Sequence, residues 1–122
     1  MKKLKVAILG SGNIGTDLMM KIQRSEYLEC VYFIGRNLSS PGMVKAIAMG
    51  VKVSDESIRA IEKNPDAVDL VFDATSAKDA VLHWNILDKL GKIVVDMTPA
   101  KLGTLCVPSV NLQDSIKSKN VN

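Results

Sequence analysis

Val6-Ala7-Ile8-Leu9-Gly10-Ser11-Gly12-Asn13-Ile14-Gly15 is the stretch whose reading decides the fold. Four apolar residues run directly into Gly10, Gly12 and Gly15, and Ile14, Leu18, Met19 and Ile22 continue at helical spacing. Strand, glycine turn and helix in that order are what a dinucleotide-binding unit requires. Gly10 is expected to make the tight turn, Gly12 to let backbone approach a pyrophosphate, and Gly15 to let the helix pack closely on the strand. Phosphates would lie on the free N–H groups at the helix start, where the macrodipole favours negative charge. Glycines spaced this way also occur in ordinary turns; here the match of both flanks carries the reading.

Outward from this turn, the chain alternates strand and helix signals. Helix A is expected over about residues 13–24, and a second strand, rich in β-formers, over 29–34. Pro41 suits a first helical turn, and Met43, Val44, Ile47 and Ala48 offer a short apolar face that ends at Gly50. Residues 51–53 read as a third strand. Ser54 reads as the N-cap of a helix that continues to about Lys63, before Asn64-Pro65 stops it. Residues 68–74 form a fourth strand, 78–90 a helix ended by Gly91, and 92–97 a fifth strand closed by Thr98-Pro99-Ala100. The expected fold class is therefore α/β, a Rossmann-type doubly wound parallel sheet in a single domain spanning 1–122.

In such a sheet, ligands lie outside the carboxyl ends of the strands. Thr75, Ser76 and Ala77 follow the fourth strand, so they are expected beside the cofactor. Their small side chains admit close backbone approach, and the two hydroxyls can donate to ribose or phosphate or cap the next helix. At the tip of the second strand the acid that ordinarily accepts from the adenine ribose is missing: the chain reads Gly35-Arg36-Asn37-Leu38-Ser39-Ser40. Arg36 is expected either to face an adenosine 2′-phosphate, or stack on adenine, with Ser39 and Ser40 adding donors, or to be a plain surface residue. The loop thus admits NADP beside NAD.

The rest of the composition excludes other classes. The chain has 122 residues, 47% hydrophobic and 24% charged, which suits an ordinary globular domain. A net charge of +3, with basic residues scattered outside the tail, gives no nucleic-acid surface. Cys30 and Cys106 are too far apart in sequence for a metal site, and no signal peptide or long apolar span precedes Val6; a reduced, cytoplasmic, membrane-free protein is expected. His83 is the only histidine and Trp84 the only tryptophan. His83 has no base or metal partner among its sequence neighbours and is expected to be structural or exposed, while Trp84 is expected to pack with Val81, Leu87 and Leu90.

The wording also resembles a known family. V-A-I-L-G-S-G-N-I-G-T-D-L-M, V-F-D-A-T-S-A, V-D-M-T-P-A, C-V-P-S-V-N-L and N-V-N are similar to the N-terminal part of acylating acetaldehyde dehydrogenase. The resemblance implies a two-domain oxidoreductase that converts acetaldehyde and coenzyme A to acetyl-CoA with NAD, in complex with 4-hydroxy-2-oxovalerate aldolase. It implies a cofactor site at Gly10, Ser11, Gly12, Asn13, Ile14, Gly15, Thr75, Ser76 and Ala77. It places the cysteine nucleophile in a motif just after N-V-N, so that Cys106 matches another position, no catalytic residue is expected in this chain, and the catalytic and dimerisation domain lies outside it. Two other expectations compete: a free-standing regulatory NAD(P)-binding module, and a domain of a related semialdehyde or acyl-phosphate reductase.

Overall fold

The computed structural model describes residues 2–97, and the expectations for Thr98-Pro99-Ala100, Cys106 and the tail lie outside the described residues. The apolar run of the opening stretch forms β1 (Leu4–Leu9), and α1 (Asn13–Gln23) follows the glycine turn. Next come β2 (Leu28–Ile34), α2 (Pro41–Ala48), β3 (Val53–Ser54), α3 (Arg59–Lys63), a tight helical turn over Pro65–Ala67, β4 (Leu70–Asp73), α4 (Ala77–Lys89) and β5 (Ile93–Asp96). The five strands make one sheet in the order β3-β2-β1-β4-β5, and every pair is parallel. This is the doubly wound α/β arrangement expected, with the chain reversing direction of travel at β1.

Side chains alternate across each strand, so successive residues feed two different cores. Val6, Ile8, Phe33 and Phe72 pack with Met19 and Ile22 of α1 and Met43 of α2 on one face. Ala7, Leu9, Ile34 and Val71 pack with Ile61 of α3 and Leu87 of α4 on the other. Burial on both faces explains why β1 reads as an unbroken apolar run rather than an alternating one. Each fully buried large side chain contributes about 1.5–3 kcal/mol.

Three helical faces differ from expectation. On α2 it is Gly42, Met43 and Ala46 that turn inward, whereas Val44, Ile47 and Ala48 are exposed. On α4 the inward residues are Ala80, His83 and Leu87; Trp84 is 55% exposed and Val81 59%, so neither packs in the core. On α1 Gly15 joins Leu18, Met19 and Ile22 inside, and Ile14 is displaced to the surface. The cause is shared: the sheet accepts small residues where the helix comes closest, and a pattern drawn from large apolar residues rotates the face by one position. The expected helix from Asp55 is also shortened. Ser54 Oγ does accept from the Glu56 backbone N–H at 3.1 Å, but Ser57 sits at φ 58° and α3 starts only at Arg59. The third strand correspondingly begins at Val53, two residues later than expected.

Candidate functional site

The carboxyl ends of β1, β2, β3 and β4 converge on a cleft of about 570 Å³. Its first wall is the glycine turn. Gly10 holds φ at +110°, and a Cβ there would stand 2.6 Å from the Ala74 carbonyl oxygen at the end of β4. Only glycine supplies both that dihedral and that approach. A Cβ on Gly15 would overlap the carbonyl oxygen of Gly10, so α1 lies against the turn with no space for a side chain. Gly12 differs: it is the N-cap of α1, and a Cβ would meet nothing within 4 Å. No side chain caps the helix. The first N–H groups of α1 therefore start beside an open space, as an anion-accepting turn requires.

The sequence-predicted residues separate on this geometry. Gly10, Ser11, Arg36, Thr75 and Ser76 line the cleft. Gly12, Asn13 and Ile14 form the exposed start of α1, Gly15 is buried beneath them, and Ala77 is the half-buried first residue of α4. Ser40 lines the cleft, with its hydroxyl 3.5 Å from that of Ser11. Ser39 instead gives its hydroxyl to Asn37 Oδ1 at 2.7 Å. Ser76 also caps α4, its Oγ accepting from the Asp79 backbone N–H at 3.1 Å.

Arg36 is 93% exposed at its side chain, and its guanidinium stands 3.4 Å from Asp79 Oδ2 on the first turn of α4. This contact reaches from the tip of β2 across to α4. Asp55, just after β3, lines the same end of the cleft.

The last wall was not foreseen. Asp73 ends β4 with no exposed surface, and His83 of α4 is only 8% exposed. Asp73 Oδ2 lies 2.8 Å from His83 Nδ1. Its other oxygen accepts from the Thr75 backbone N–H at 3.0 Å and from the Thr75 hydroxyl. Burial by itself would raise the Asp73 carboxyl, but the His83 hydrogen bond, the two from Thr75 and the imidazole charge together hold it below the ordinary carboxylate value. His83 walls the cleft; it is neither exposed nor without a partner. The sequence did carry a signal: an aspartate closing a strand otherwise buried and apolar must find hydrogen-bond donors, and a histidine ten positions on can reach back over the turn.

Cys30 sits inside β2, where burial pushes its thiol up to about 12. A thiol held there is no nucleophile at neutral pH. Among the described residues no group of three or more His, Cys, Asp or Glu side chains is placed to hold a metal, and no helix is long and apolar enough to cross a membrane.

Comparison with known proteins agrees with this geometry. Residues 5–119 match the family described as "Semialdehyde dehydrogenase, NAD binding domain". The acetaldehyde dehydrogenase of Spirochaeta aurantia is 54% identical over 121 residues, which is 99% of this chain and 41% of that protein. That of Pectobacterium atrosepticum is 51% identical over the same shares. The chain thus spans about two fifths of the length of these relatives. Among solved structures, a homoserine dehydrogenase of S. aureus superposes with a TM-score of 0.59 at 21% identity, covering 98% of this chain and 31% of that one. An NAD-binding protein from Listeria innocua gives 0.54 at 17% identity, over 79% and 35%. The glycine turn, the parallel sheet and the family match together place this chain in the semialdehyde dehydrogenase NAD-binding domain family, with NAD as its cofactor.

Proposed function

We propose that this chain is the cofactor-binding domain of an acylating acetaldehyde dehydrogenase, an enzyme that converts acetaldehyde, coenzyme A and NAD to acetyl-CoA, NADH and a proton. The observation that carries the reading is the open space at Gly12, beside the uncapped start of α1 and the close-packed Gly10 and Gly15. There, beside the Gly10 and Ser11 edge of the cleft, backbone donors meet room for a pyrophosphate. Identity near one half to relatives named acetaldehyde dehydrogenase supports the choice of aldehyde over a semialdehyde or acyl phosphate.

In this reading the Gly10–Gly15 turn, Ser11, Asn13 and Ile14 hold the pyrophosphate, while Thr75, Ser76 and Ala77 flank the riboses. Arg36 stands at the adenosine end. The bound nicotinamide supplies the hydride acceptor. The residues of this chain orient it and exclude water, and the attacking thiolate and acyl transfer to coenzyme A belong to the rest of the enzyme. Cys30 is not a candidate for that thiolate, buried as it is with its pKa raised. A 4-hydroxy-2-oxovalerate aldolase as the source of the aldehyde rests on the sequence resemblance.

Two measurements on the 122-residue chain test the reading. Calorimetric titration with NAD is expected to give saturable binding at one site. Incubation with acetaldehyde, coenzyme A and NAD is expected to give no steady rise in NADH absorbance. Absent binding overturns the cofactor assignment, and sustained turnover overturns the placement of the nucleophile outside this chain.

A further inference from the structure

Asp73 and His83 have no assigned task in the dinucleotide reading, yet both are buried, and His83 lines the cleft with Asp73 behind it. The Asp73 carboxyl is held in its ionised form, and a carboxylate only accepts hydrogen bonds. The Nδ1 that lies 2.8 Å away must therefore carry the proton and donate it. In the neutral ring that proton fixes the tautomer, and Nε2 then has a lone pair to accept. Among the described residues the Asp73 contact is the hydrogen bond made by the ring, and the ring also walls the cleft. The ring keeps 11% side-chain exposure and lines the cleft, so a ligand there can reach it.

The position along the cleft identifies the ligand group. A dinucleotide whose pyrophosphate lies at the glycine turn sends its adenosine half toward the tip of the second strand. That tip is Gly35 and Arg36, which share the cleft with His83 and Thr75. Adenosine offers donors there: ribose hydroxyls and the exocyclic amino group. A buried acceptor of fixed tautomer matches them.

We propose that His83, oriented by Asp73, binds the adenosine half of the cofactor by accepting a hydrogen bond at Nε2, with Asp73 as the positioning residue. The inference rests on the dinucleotide reading above, and the experiment separates the two. The chain contains one histidine, so its ring nitrogens are assigned without ambiguity in a ¹⁵N-labelled sample. NAD and AMP are expected to shift the Nε2 resonance while Nδ1 stays in place, and nicotinamide mononucleotide is expected to leave both unmoved. In calorimetry, His83→Asn keeps an atom for Asp73 but loses the one at Nε2, and should weaken NAD and AMP binding roughly three- to tenfold. His83→Gln keeps an atom near Nε2 and should recover most of that loss. NAD binding by the wild-type chain with an unmoved Nε2 resonance, or with equal affinity in a folded His83→Asn, overturns this inference alone. Absence of NAD binding in the wild type overturns the dinucleotide reading, and this one with it. Should His83→Asn fail to fold, the wild-type resonances decide the matter.

Discussion

The two walls of the cleft are made in opposite ways. The glycine turn is backbone against backbone: removing side chains brings α1 onto β1 and leaves donors facing an open space. The wall at β4 and α4 is side chain against side chain, with a buried carboxylate, a hydroxyl and an imidazole locking one another. At Gly10 and Gly15 the first kind tolerates no added atoms, and the second tolerates no removed ones. Substitutions of opposite sense should therefore damage the two walls, and they should do so in different measurable quantities.

Gly15→Ala tests the first wall most severely. Its Cβ would overlap the Gly10 carbonyl oxygen, a backbone atom that cannot swing aside. Urea unfolding should show a loss of about 3 kcal/mol or more, through forced movement of α1 away from β1. A change under about 1 kcal/mol would show that the turn has slack that the geometry denies.

Asp73→Ala should be nearly as costly on the second wall, about 3 kcal/mol at pH 7, because it leaves His83 and the Thr75 donors unpaired in a buried place. Its pH dependence has a definite sign. The folded carboxyl titrates below its ordinary value of 3.8, so its stabilisation is present above that value and is lost as pH falls through the folded one. The difference in stability between wild type and Asp73→Ala should accordingly narrow in acid. A gap constant from pH 7 down to the acid limit would mean that packing, not the ionised pair, holds the wall.

The contrast also explains what could be read from the sequence. The glycine turn is contiguous and each of its residues has a local physical reason, so Gly10, Gly12 and Gly15 announce both the strand–helix unit and its ligand before any coordinates. The parallel sheet follows from the alternation of strand and helix signals. The second wall joins β4 to the second turn of α4, and only the helix's rotation decides whether residue 83 or 84 looks inward. An apolar pattern favours Trp84; the structure favours His83, because Asp73 needs a donor and Ala80 lets the helix approach. The same preference for small inward residues hid Ala46 behind Ile47 on α2. The Arg36–Asp79 contact, 43 positions apart in sequence, has no local signature at all.

Gly12→Ala separates binding from folding within the first wall. Nothing lies within 4 Å of the added Cβ and alanine adopts the extended φ of −76°, so the loss is that of a poorer N-cap, about 1 kcal/mol or less. The methyl would nevertheless occupy the space assigned to the pyrophosphate, and NAD affinity should fall by about tenfold or more in calorimetry. Equal affinity in a well-folded variant would move the pyrophosphate off this turn.

The smallest effects belong to Arg36, which reaches from the tip of β2 to Asp79 on the second wall. Its guanidinium is almost fully exposed, and Asp79 stands beside it, so water and salt screen the pair. An adenosine 2′-phosphate at this end would bring negative charge toward Asp79 and Asp55 as well as toward Arg36. The tip of β2 carries no carboxylate, but Asp55 and Asp79 from other elements line the same cleft and would repel a 2′-phosphate. In parallel titrations the wild type should bind NAD more tightly than NADP. Arg36→Ala should weaken NADP by roughly two- to fivefold and Asp79→Asn should strengthen it by a similar factor, the scale of an exposed charge contact, while NAD affinity moves by less than about twofold in both. NADP preferred by the wild type and lost in Arg36→Ala would instead make the arginine a reader of the 2′-phosphate, with Asp79 serving only to orient it.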